Sequence, residues 1–169
     1  MHGAKLPVPM RGVTLLELMI VLALMVVIAS LAVPELGRQL SRWQMQAVAE
    51  RLSSDLAEAR FAAVQRRSAQ HVRIQSGPAW CWSVSELPNC PCDAVHHCQR
   101  QRVVAPARGR IVITNDAQLR FEPRAEVQAG APAVGVASPH GERLQVQLSP
   151  LGRARVCSAE VGRLGYAVC

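Results

Sequence analysis

Aromatic side chains are scarce: three Trp, one Tyr and two Phe make up 4% of 169 residues. A core must therefore be aliphatic, and no cluster of rings offers the stacking platform that single-stranded nucleic acid needs. Lysine is almost missing; Lys5 is the only one, and every other basic side chain except histidine is arginine. No glycine-rich phosphate loop follows a strand-like run, and no nucleophile has a base in a recognisable arrangement. The one Ser-His neighbourhood, Ser138-Pro139-His140, sits in a turn signal. The chain therefore reads as a non-enzyme without a cofactor. It also lacks internal repeats and long low-complexity tracts.

What is present begins with charge. The net charge is +7, and arginine forks make bidentate contacts with phosphate and carboxylate, which is compatible with a polyanionic partner. Six cysteines occur: Cys81, Cys90, Cys92, Cys98, Cys157 and Cys169. An even count downstream of a membrane-targeting segment fits an oxidising compartment and three disulfides. The stretch NCPCDAVHHCQR also packs Cys90, Cys92, His96, His97 and Cys98 together, a donor set that zinc would accept, although the spacing matches no common zinc frame. Disulfides are the expectation and metal the alternative. The pairing is not readable; Cys157 with Cys169 would staple the C-terminal hairpin to itself, leaving Cys81 and the three loop cysteines to pair among themselves.

Residues 1–12 are short and basic, with Lys5 and Arg11 and no acid. An apolar run from Val13 to Val33 follows, interrupted by one fully charged side chain, Glu17. Its length spans roughly 30 Å of hydrocarbon as a helix. Positive charge ahead of it predicts a cytoplasmic N-terminus and a downstream domain outside the cytoplasm. The small-x-small tripeptide SLA at 30–32 offers a secretory cleavage site, and cleavage after Ala32 would release a secreted domain. Neither that reading nor a plain signal anchor explains a charge that costs about 2.5–3.5 kcal/mol at a helix centre on insertion scales.

Gly12-Val13-Thr14-Leu15-Leu16-Glu17-Leu18 resembles the prepilin signature of type IV pilins and type II secretion pseudopilins. The resemblance implies cleavage between Gly12 and Val13 by a prepilin peptidase and N-methylation of Val13, where the family usually has Phe. Glu17 then matches the family's glutamate, and Pro34 falls where pilins often carry a helix-kinking proline. Cleavage creates an ammonium at Val13 with a reference pKa near 7.7–8.0. The terminal ammonium of a neighbouring subunit is the partner that would make Glu17 a registration device for filament assembly, because paired charges fare far better than single ones in a low-dielectric bundle.

After Pro34 the sequence reads as an amphipathic helix over about 35–70. Leu36, Leu40, Trp43, Ala47, Leu52, Leu56, Ala59 and Ala63 recur at steps of three to five. Trp43 and Met45 read as packing residues, and Pro34 as a kink. Strand-like runs follow at 71–75, 80–84, 110–114, 118–121, 133–137, 143–149, 153–157 and 166–169, separated by turn residues. The expected fold class is α+β: one long N-terminal helix packed on a C-terminal antiparallel sheet. The expected domains are a leader at 1–12, a transmembrane and assembly helix at 13–33, and a periplasmic or extracellular domain at 34–169, with its β part from about 71. The stretch 85–109 is the least regular.

SPLGRARVC carries a second resemblance. Minor pilins of the FimT/GspH-like family share the stalk and small β-domain, and FimT-like members, implicated in DNA uptake during natural transformation, carry G-R-x-R near the C-terminus. Here it is Gly152-Arg153-Ala154-Arg155. In a strand, Arg153 and Arg155 face one side, and two forks suit successive phosphates. Gly152 permits close backbone approach or a positive-φ turn before them. Arg163 and Arg143 are further candidates, and Arg100, Arg102, Arg108 and Arg110 form a second basic group. The resemblance implies a minor pilin that binds DNA without sequence preference and promotes uptake, with the inner membrane, prepilin peptidase and other pilins or pseudopilins as partners. The rival reading is a structural pseudopilin like the H subunit of type II secretion, or a minor pilin that only primes assembly.

Overall fold

A computed structural model describes residues 14–107, 109–124, 127–129, 133–160 and 165–169. Among the described residues one helix, α1 (Leu15–Arg66), precedes nine strands: β1 (Gln70–Gln75), β2 (Cys81–Ser85), β3 (Gln99–Val104), β4 (Val112–Ile113), β5 (Ala117–Phe121), β6 (Val127–Ala129), β7 (Ala133–Ala137), β8 (Arg143–Leu148) and β9 (Ala154–Ser158). The chain divides into two compact units at Arg38/Gln39.

In the first unit, the Thr14 hydroxyl accepts the Glu17 amide at 3.2 Å and caps the helix start. The side chains from Leu15 to Val33 are exposed, and the segment is long and apolar enough to cross a membrane. The helix runs through Pro34 as one element, in keeping with the expected single long helix. It ends where Arg67 turns to φ 54°.

In the second unit the strands form two antiparallel sheets rather than the expected one. Their orders are β3-β2-β1-β5-β6 and β4-β7-β8-β9. Strict alternation explains their inner faces. Val72 and Ile74 of β1, Leu119 and Phe121 of β5, Val134 and Val136 of β7, and Leu144 and Val146 of β8 are all buried in one cluster with the helix. A side chain of that size contributes roughly 1.5–3 kcal/mol when fully buried.

The helix presents Met45, Ala49, Leu52, Leu56, Ala59 and Ala63 to this core. This corrects the predicted stripe. Trp43 is 60% exposed and Ala47 is exposed too. The predicted step from Ala47 to Leu52 is five residues, which moves about 140° around a helix and leaves the face. Steps of three and four back from Leu52 reach Ala49 and Met45 instead.

Polar contacts also join the helix to the β part. Trp82 Nε1 donates to buried Asp55 at 2.9 Å, Arg42 pairs with Glu142 in the β7–β8 turn, and the Tyr166 hydroxyl donates to Glu50 at 2.8 Å.

Two more expectations change. The stretch 85–109 contains β3, whose QRQRVV carries no apolar alternation because it is an outer strand of its sheet. The run at 166–169 makes an isolated bridge between Val168 and Ser158 and no named strand.

Candidate functional site

The G-R-x-R segment starts with a tight turn. The Gly152 amide donates to Ser149 O at 2.8 Å, and the Ser149 amide donates to Arg153 O at 3.0 Å. Pro150 sits where its fixed φ favours such a turn. Gly152 closes it with φ 70°, the left-handed conformation that glycine adopts without steric cost. Space adds a smaller demand: a Cβ on Gly152 would lie 3.2 Å from Arg60 Cδ and 3.4 Å from Phe121 Cε1, so the Arg60 side chain would have to give slightly.

The turn sends the chain into β9, the outer strand of the four-stranded sheet. Ala154 and Val156 lean on the core, so Arg153 and Arg155 project together to the exposed side. Their Cα atoms are roughly 7 Å apart. Arg155 lies opposite Gln147 in register and donates to its Oε1 at 2.9 Å. The Arg153 side chain makes no hydrogen bond or ion pair with any described residue. The two arginines border a shallow depression of about 420 Å³ shared with Gln147 and Ser149.

The outward edge of β9 lies beside them. The Ser158 amide donates to Ala167 O and the Cys169 amide donates to Ser158 O, so residue 158 turns its backbone groups outward. Alternation along an antiparallel strand then turns those of Ala154 and Val156 to the same edge.

The other candidates are less close. Arg143 is exposed at the opposite end of β8, four residues and roughly 14 Å from the Gln147–Arg155 pair. Arg163, and Gly12 with Val13, lie outside the described residues. Arg108 lies outside them too. Arg102 is not available as an anion site: its Nε and Nη2 donate to the carbonyls of Cys92 and Asp93 at 2.7 and 2.9 Å. Arg100 pairs with Glu86.

All six cysteines are in disulfides: Cys81–Cys92, Cys90–Cys98 and Cys157–Cys169. The first two fold the loop back over β2, where the Ser83 hydroxyl donates to Cys90 O and the Ser85 hydroxyl to Leu87 O. β2 is thereby buried on both faces. The third ties the C-terminus to β9. Sequence reading located the cysteines but not this covering role; the serines at alternate positions of CWSVS were its only trace.

The Glu17 carboxylate has no partner among the described residues. It lies in the first turn of α1.

The family model described as type II transport protein GspH matches residues 48–152, more than half of the chain. The chain belongs to this family. The model for the prokaryotic N-terminal methylation motif matches residues 9–33. Together they make this GspH-family member a minor type IV pilin or pseudopilin, anchored in the inner membrane by one apolar helix, with its globular part periplasmic before entry into the pilus. Association with other pilins or pseudopilins and processing by a prepilin peptidase go with that family. Arg153 and Arg155 lie just beyond the GspH match. Among solved structures, two crystal forms of the type IV minor pilin FimU of Pseudomonas aeruginosa strain PAO1 are similar. One gives a TM-score of 0.47 at 17% identity, covering 66% of this chain and 90% of that one. The other gives 0.48 at 13%, covering 76% and 97%. No curated protein matches the chain.

Proposed function

We propose that this minor pilin binds DNA through the phosphate backbone at the β8–β9 hairpin and so promotes DNA uptake. The reading rests on one observation: Arg153 and Arg155 project together from an outer strand, past a turn that Gly152 closes. Two adjacent forks on an exposed edge suit phosphates and contain no element for reading bases. Binding is then indifferent to sequence and sensitive to salt, with a log–log slope near −1.8 for two contacts and near −2.7 if Arg163 adds a third.

The remaining roles follow the family motif. Cleavage between Gly12 and Val13 leaves a methylated Val13, and Glu17 pairs with the terminal ammonium of a neighbouring subunit during assembly. Residues 13–33 then form the membrane and assembly segment, and residues 34–169 the exported part.

Full-length protein in non-ionic detergent, titrated with random duplex DNA at several salt concentrations, tests the site. The Arg153→Gln/Arg155→Gln variant is expected to bind more weakly and to lose about 1.8 from the slope. Equal binding by both proteins overturns the assignment.

The GspH match favours a second reading, a structural pseudopilin of a type II secretion system. That role uses Glu17 and the stalk and places no demand on Arg153 or Arg155. The same titration separates the two, since a structural subunit retains no DNA at physiological salt.

A further inference from the structure

The outer face of the five-stranded sheet holds a second site, unrelated to the β9 arginines. The registers of β1 with β2 and β5, and of β5 with β6, place Ser85, His71, Arg120 and Gln128 in one row across four strands. The adjacent row contains Arg73 opposite Gln118. These side chains share the face opposite the core, because Val72 and Leu119 between them are buried. Sheets usually leave such a face flat and wet. Here the loop after β2 walls one side with Pro88, Asn89 and Cys90, and a cleft of about 380 Å³ results. That volume is within the range of small-molecule sites.

The wall is fixed covalently and by hydrogen bonds. Cys90 is bonded to Cys98, and its carbonyl accepts the Ser83 hydroxyl at 3.1 Å. Asn89 takes φ 60° at the rim. A site whose wall is held before the ligand arrives loses less entropy on binding.

The charge inside is positive. The Arg73 side chain makes no hydrogen bond or ion pair with any described residue. Arg120 gives its Nε to Glu122 at 2.8 Å, which orients the fork and leaves its terminal nitrogens without a described partner. The His71 pKa is lowered, first by burial and then by the Arg120 charge, with Glu122 opposing. Two acids stand at the margin: Glu122, and Asp116, which the Ser76 amide holds at 2.7 Å and which feels Arg73. Arg73 and Arg120 are diagonal neighbours, about 7–8 Å apart at such positions, a spacing that two side chains as long as arginine can bridge to one anion. The amides of Gln118, Gln128 and Asn89 offer donors and acceptors to hydroxyls around it. Among the described residues no Phe, Tyr or Trp lines the cleft, which argues against a flat apolar ligand. A duplex is too wide to enter a cleft of that volume.

We propose that this cleft binds a small hydroxyl-rich oxyanion, a sugar acid or sugar phosphate, with its carboxylate or phosphate between Arg73 and Arg120. The site is independent of the hairpin on the other sheet.

Full-length protein in non-ionic detergent, titrated calorimetrically with glucuronate, glucose 6-phosphate and glucose, tests this. One or both acids are expected to bind and glucose to be inert; which acid binds tells carboxylate from phosphate. Arg73→Gln and Arg120→Gln should each weaken binding about tenfold or more, as expected for a charged hydrogen bond. Gln118→Glu, at an exposed position, should abolish it by repulsion without touching the core, which keeps the test decisive if an arginine variant misfolds. Arg153→Gln/Arg155→Gln should titrate as the parent does. Absence of binding by both acids, binding indifferent to Gln118→Glu, or loss in the Arg153/Arg155 variant overturns the proposal.

Discussion

Trp82 Nε1 donates to Asp55 Oδ2 at 2.9 Å inside the core, joining the helix to β2. Asp55 is 3% exposed, and Arg51 meets the same carboxylate at 3.1 Å from the helix surface. The carboxylate thus has both a buried donor and a cation, which is how a buried charge is tolerated.

Replacing Asp55 by Ala should cost about 1–3 kcal/mol, because the buried indole N–H loses its acceptor. Asp55→Asn keeps an acceptor in place and should cost less. Denaturant titration monitored by tryptophan fluorescence compares the two; equal losses would show that the hydrogen bond does not carry the effect.

Gly152→Ala should destabilise the hairpin by about 1–2 kcal/mol from the left-handed backbone alone. The nearby Arg60 and Phe121 add a steric demand. A thermal melt reads the loss. DNA binding should also weaken while both arginines remain, since the turn sets their direction.

Tyr166 is the only tyrosine, so its ionisation is read directly by ultraviolet absorbance. Burial, and then the Glu50 carboxylate that accepts its hydroxyl, push its pKa up to about 12. The folded pKa lies above the ordinary value near 10, so the neutral phenol is the form that favours folding. Its contribution is complete below pH 10 and is lost as pH rises through about 12. Glu50→Gln should lower the midpoint. An unchanged midpoint would remove Glu50 as a cause.

Glu17→Ala should leave membrane insertion intact or improved, since a charge leaves an apolar helix. It should impair entry into filaments. Fractionation of membrane and sheared pilus pools reads both; normal assembly would dismiss the pairing of Glu17 with a neighbour's terminal ammonium while leaving cleavage after Gly12 untouched.

Some of the fold was legible because its signals are local. The apolar run, the α+β class, and strands such as β1, β7 and β8 follow from period and turn residues within one segment. Strand β3 was not legible: an outer strand with polar residues on both faces carries no period to read. The helix face was half legible. Leu52 to Ala63 keep phase with the core, whereas Trp43 looked inward by composition and is exposed. Of the candidate site, the alternation of Arg153 and Arg155 was readable, but the distance of Arg143 and the use of Arg102 as a loop clamp were not. Both depend on which strands become neighbours.

By itself the sequence determined the membrane-length segment with its lone carboxylate, the processing motif at its start, and the spacing that lets two arginines share one strand face. Each is fixed by chemistry within a few residues of chain. Only the tertiary structure decided that the strands split into two sheets, that Cys81 pairs with Cys92 and Cys90 with Cys98, and that the loop they hold walls a cationic cleft. Those outcomes depend on partners far apart in sequence, and a side chain carries no local mark of the strand it will lie beside.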